Sequence, residues 1–118
     1  MNLGTRIALG LALVIASPAA PAFAQSSKGI EYDESVSVKV GQSAVIYGFR
    51  GDCGKKPKTS EIRLPTLQTG TLSFGKIGQT RSNRCGGLTP AVEIVFTGGS
   101  KGRESFELNG DPFIVRVR

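Results

Sequence analysis

The chain has no histidine and no tryptophan, one methionine and only two cysteines among 118 residues. Without histidine, Ser-His-Asp and Cys-His catalytic arrangements cannot be assembled. Zinc is poorly served too, because two thiolates do not complete a four-ligand shell. An antibody-type domain packs a tryptophan against its inter-sheet disulfide, so that class is excluded. No apolar run reaches the roughly 18 residues that cross a bilayer. Helical periodicity is missing beyond the first two dozen positions. No G-x-x-x-x-G-K-[ST] loop occurs, and the glycines of "CGG" and "TGGSKG" read as turn residues that tolerate positive φ.

What is present begins with an export pattern. Arg6 supplies the positive charge, "IALGLALVIA" (residues 7–16) the short apolar stretch, and Ala22, Phe23 and Ala24 an A-x-A cleavage site. Residues 1–24 are therefore expected to be a cleaved signal peptide, and residues 25–118 one exported domain, periplasmic or secreted, with no membrane span after cleavage. No cysteine follows the apolar stretch to mark a lipoprotein. The remaining length suits one small folding unit and is too short for two cores. Losing Arg6 from the 15 basic residues leaves 14 against 9 acids, a net charge of about +5. Such a balance fits an anionic polysaccharide or an acidic protein surface as partner, and equally fits ordinary solubility.

In an oxidising compartment, two cysteines are most simply one disulfide, Cys53 to Cys85. Their separation of 32 residues excludes a redox C-x-x-C pair. Closing a loop of that size stabilises a fold by roughly 3–4 kcal/mol in the chain-entropy picture.

Period-two alternation runs through the chain. "ESVSVKV" puts Val36, Val38 and Val40 on one face, and Gly41 and Gln42 then turn the chain into "SAVIYGF". There Val45, Tyr47 and Phe49 alternate against Ala44 and Ile46. "RGDCGKKPKTS" reads as a loop. "EIRL" offers a short strand through Ile62 and Leu64, ended by Pro65, and "TGTLSF" offers Leu72 and Phe74. Residues 75–87, rich in Gly, Ser, Asn and Arg, read as a long loop tied down by Cys85. "AVEIVFT" points Val92, Ile94 and Phe96 inward, "ESFEL" pairs Phe106 with Leu108, and "FIVRVR" separates Phe113, Val115 and Val117 from Arg116 and Arg118. About seven short strands with turns between them indicate an all-β fold, a small sandwich or barrel.

From residue 70 to 117 the chain resembles the bacterial Ig-like and cadherin-like modules of exported surface proteins. Those modules run through a short "GT" strand, an aromatic, Thr, Pro, a glycine turn, G-x-D-S-F-T-Y and a closing alternating strand. Here "TGTLSF", Phe96 with Thr97, Gly102 with Ser105 and Phe106, and "PFIVRV" match, while Gly98, Glu104 and Leu108 replace the proline, aspartate and second aromatic. The resemblance implies a small Ig-like β-sandwich. It does not extend to calcium, since tandem copies and acidic linkers are missing, so no metal or cofactor is expected.

Asp52, Glu61, Glu93 and Glu104 read as turn or strand-face residues, so no catalytic residue is assigned and an enzyme is not expected. The disulfide would instead gather Arg50, Lys55, Lys56, Lys58, Arg81 and Arg84 near one end of the sandwich, relieved only by Asp52. Loops on a rigid scaffold commonly carry binding residues, which makes this cluster the candidate surface. "RGD" at 50–52 resembles the integrin tripeptide, but three residues recur by chance. Nucleic acid is not expected, given export and the lack of aromatic residues among the cations. Three functions remain open: a non-enzymatic binding domain, an inhibitor of a hydrolase, and a structural accessory of an envelope complex.

Overall fold

The structure, a computed structural model, describes residues 29–118. The expected signal peptide and residues 25–28 lie outside the described residues. Six strands follow in order: β1 (Ser35–Val38), β2 (Ser43–Arg50), β3 (Gly70–Ser82), β4 (Gly87–Gly98), β5 (Gly102–Leu108) and β6 (Asp111–Val117). They form two three-stranded sheets, ordered β1-β6-β5 and β2-β4-β3. All pairings are antiparallel except β1 with β6, which is parallel. The expected all-β sandwich with one disulfide is what the chain forms. Among the described residues no helix is long and apolar enough to cross a membrane.

The two sheets meet through one apolar layer. Val38, Leu108, Phe113, Val115 and Val117 face Ile46, Val92, Ile94 and Phe96, all nearly inaccessible to solvent. Strict alternation on β4 and β6 makes this possible, because residues two apart share a face of a strand. Aromatic edges reinforce the layer: Phe113 packs against Tyr32 and Tyr47 at ring separations of 5.4 and 5.5 Å, edge to face.

On β2 the simple alternation fails. A β-bulge between Val45 and Tyr47 puts one extra residue, Ile46, into the strand, so Ala44 faces Phe96 but Tyr47 faces Ile94. Ile46 is fully buried while Tyr47 and Phe49 still pack on the core. Val45, expected to share their face, lies on the other side of the bulge and has no place in the core set. Val40 is beyond the end of β1 and half exposed.

Two other expectations change. "EIRL" is no strand: residues Thr59–Glu61 make a 3-10 turn, and the chain then runs without ladder partners to Gly70. Ile62, Leu64 and Leu67 nevertheless pack against the core. The apolar character expected of Ile62 and Leu64 holds, and what they lack is a neighbouring strand with which to pair. Residues 75–87 are largely strand, because β3 continues to Ser82 and β4 starts at Gly87. A second bulge at Gly75 and Lys76 lets β3 continue, with the Glu93 carboxylate accepting the Lys76 N–H at 3.0 Å.

The N-terminal segment is strapped over the outer face of β2-β4-β3. Gly48, Gly78 and Ala91 leave a hollow there, and Ile30 fills it; a Cβ on Gly48 would sit 3.0 Å from the Ile30 Cβ. The Ile30 N–H donates to the Gln79 carbonyl (2.7 Å) and the Asp33 N–H to the Ile46 carbonyl at the bulge (2.9 Å). Replacing Ile30 with Ala empties the hollow, and the expected loss is roughly 2–4 kcal/mol in urea unfolding. An unchanged midpoint would mean the strap does not cover that face.

Candidate functional site

β2 ends at Arg50, opposite Ala91 of β4. Beyond that point β4 has only β3 for a neighbour, with Gln79 opposite Pro90, Thr80 opposite Thr89, Arg81 opposite Leu88 and Ser82 opposite Gly87. Pro90 is tolerated because the strand is locally an edge there, with no second ladder to supply. The β3-β4 hairpin thus projects past the sheet as a two-stranded ribbon, an element that is marginal by itself. Its turn is closed by the Gly86 N–H donating to the Asn83 carbonyl (3.2 Å) and by the Cys85 N–H donating to Ser82 Oγ (3.2 Å). Gly86 carries φ of 76°, a conformation that suits glycine.

The chain leaving β2 folds back onto this ribbon. Cys53 and Cys85 form the disulfide, with Cα atoms 5.4 Å apart. The Gly54 N–H donates to the buried Thr89 hydroxyl oxygen at 2.8 Å. A turn with the Lys55 N–H on the Asp52 carbonyl (2.9 Å) completes the loop. A bond of this kind belongs to an oxidising environment.

Of the candidate cations, Arg50 stands at the end of β2, Lys55, Lys56 and Lys58 on the stapled loop, Arg81 on the ribbon and Arg84 in its turn. Backbone connectivity and the disulfide therefore place all six around one end of the β2-β4-β3 sheet. Five are exposed and Arg50 is half-buried. The Arg50 guanidinium donates to the Gly51 carbonyl (3.0 Å); among the described residues the side chains of the other five make no hydrogen bond or ion pair. The cluster can offer unsatisfied cationic donors to an anion.

Of the four acids singled out in the sequence, Glu93 and Glu104 hold the backbone in place, while the Asp52 and Glu61 carboxylates are exposed and accept no hydrogen bond among the described residues. Glu93 serves the β3 bulge, as described. Glu104 on β5 accepts the Thr69 hydroxyl (2.7 Å), the Thr69 N–H (2.9 Å) and the Gln68 N–H (3.0 Å), joining one sheet to the chain that leads into the other. The Thr69 hydroxyl, followed by the Thr69 N–H, holds this carboxyl below its ordinary value, only partly opposed by burial.

A second basic surface lies on the outer face of β1-β6-β5 and was only half legible in the sequence. Alternation in "FIVRVR" already turned Arg116 and Arg118 outward. It could not supply the register, which sets Arg103 directly opposite Arg116 and Ser37 on the other side of Arg116. Ser35, Val36, Ser37, Arg103, Ile114 and Arg116 line a cavity of about 300 Å³ on that face. No protein-family model, curated protein or solved structure matches the chain.

Two outcomes follow. Replacing both Cys53 and Cys85 with Ser should cost roughly 3–4 kcal/mol of stability; a loss near zero, measured by denaturant unfolding, would show that the ribbon is held without the bond. For Glu104 the folded value is depressed, so its contribution is fully present above the unfolded value near 4.5 and is lost as pH falls through the folded value. Glu104→Gln should therefore flatten the acid limb of a stability-against-pH curve, and an unchanged limb would contradict the assignment.

Proposed function

We propose that this is an exported, non-enzymatic binding domain of Ig-like type that contacts an anionic or protein partner through its disulfide-stapled basic loops. The observation that carries the reading is the docking of residues 51–58 onto the projecting β3-β4 ribbon through Cys53–Cys85, which collects six cations at one end of a rigid sheet. Binding residues are commonly carried on loops fixed by such a scaffold, and an unneutralised cluster attracts anionic partners over several ångströms. The signal pattern of residues 1–24 supports export to a periplasmic or extracellular space, where the disulfide persists. Two of the acids that could have served chemistry, Glu93 and Glu104, are engaged in holding the fold, in keeping with a protein that works by contact.

The test is capture from an envelope extract with the exported, oxidised protein, released by stepwise salt and compared with the Arg81→Glu, Arg84→Glu double variant. The wild type is expected to retain a discrete partner that the variant loses, with release at increasing salt as exposed charges are screened. Equal capture by both proteins would remove the loops as the binding surface.

A further inference from the structure

The outer face of the β1-β6-β5 sheet carries a feature that the loop reading does not use. Three strands abreast present Ser37, Arg116 and Arg103 in one row, and Ser35, Ile114 and Ser105 in the next. Like charges directly opposite each other on a sheet destabilise the pairing unless something offsets them. Among the described residues nothing does so, and neither the Arg103 nor the Arg116 guanidinium makes a hydrogen bond or ion pair. Glu104, next to Arg103 in the chain, is committed to Thr69 and Gln68. Glu107 shares the outward face but lies four residues along β5, about 13 Å away at strand spacing. A third guanidinium reaches the row: Arg118 Nε donates to Ser37 Oγ at 3.0 Å and leaves the Ser37 hydroxyl hydrogen free to donate elsewhere.

We propose that this trough is a binding site for an acidic polysaccharide, holding the carboxylate of a uronic acid residue between Arg103 and Arg116. Two adjacent guanidinium forks match a carboxylate bidentately, which a pair of ammonium groups would not. The serine hydroxyls suit the ring hydroxyls of a sugar, and the exposed Ile114 offers apolar surface to its C–H face. A volume of about 300 Å³ is at the lower end for small-molecule sites and accommodates one sugar-sized ring. Because the site lies on a sheet face, a chain can continue past it without threading. Bound carboxylate would neutralise the opposed pair, so the repulsion built into the empty sheet favours occupancy.

This site is on the opposite sheet from the stapled loops, so the two proposals fail separately. The experiment titrates tetragalacturonate into the exported, oxidised protein, with binding constants from calorimetry and contacts from amide and Arg Nε–H NMR shifts. Shifts are expected at Arg103, Arg116, Ser35 and Ser37. Arg103→Ala with Arg116→Ala should weaken binding at least about tenfold, and Arg103→Lys with Arg116→Lys should lose most of it because the forks are gone. Arg81→Glu with Arg84→Glu should leave the affinity within about twofold. The Ala pair relieves like-charge opposition, so its thermal midpoint should equal or exceed the wild type, which separates lost binding from lost fold. The proposal is overturned if no shift appears at millimolar tetragalacturonate or if the shifts fall on the loops. It is also overturned if the Lys pair binds fully, or if a neutral tetrasaccharide or a tetraglutamate peptide binds as well.

Discussion

Contact between the inner faces of two sheets is the constraint on which everything else rests. The sheets share no strand, and each has only three, so neither would persist without its partner. Phe96, Ile94 and Val92 on one side meet Phe113, Val115 and Val117 on the other, and the burial of these side chains is the main drive for assembly. Polar links are few but well placed. The Glu104 carboxylate ties β5 to the chain entering β3, and the Gly99 N–H returns to the Thr69 carbonyl at 2.7 Å. Gly70 lies so close to the Thr97 carbonyl and the Phe96 ring that any side chain there would collide with both.

Once the inner faces are committed to each other, the outer faces and the ends are free to carry charge. At one end the β3-β4 hairpin outruns β2, and the cost of holding such a ribbon in place explains why both cysteines are found there. The disulfide and the Thr89 hydroxyl attach the departing chain to the ribbon, so the basic loops become part of the scaffold. On the far sheet the alternation that buries Phe113, Val115 and Val117 also exposes Ile114, Arg116 and Arg118. The same period-two pattern thus builds the core and the trough in a single strand.

The fold class, the disulfide and most of the core could be read from residue order because they depend on alternation and on counting cysteines. Val92, Ile94 and Phe96 are cases where the pattern alone was enough. What escaped depended on neighbours distant in the chain. Ile46 and Tyr47 point to one side because a bulge inserts a residue, and composition does not announce a bulge. Residues 75–87 looked like loop because Gly, Ser and Asn are abundant, yet pairing with a strongly β-forming partner, β4, carries them into a ladder. Conversely, Ile62 and Leu64 had strand character but no ladder to join. The Arg103–Arg116 pair was hidden because each arginine is unexceptional on its own strand, and only the β5-β6 register sets one against the other.

The central claim is that packing between the sheets holds the fold, while the disulfide fixes the ribbon and loop that carry the basic cluster. Residue-resolved hydrogen exchange of the oxidised and reduced protein tests this most directly, because local and global openings are separated by their free energies. The expected result is that the slowest amides lie in β4 and β6, around Ile94, Phe96 and Val115, in both states. Reduction should bring residues 52–55 and 82–89 to the fast limit by local opening. If the slowest amides instead cluster beside Cys53 and Cys85, and the central strands exchange ahead of them, the account is contradicted and the disulfide is the true core of the domain.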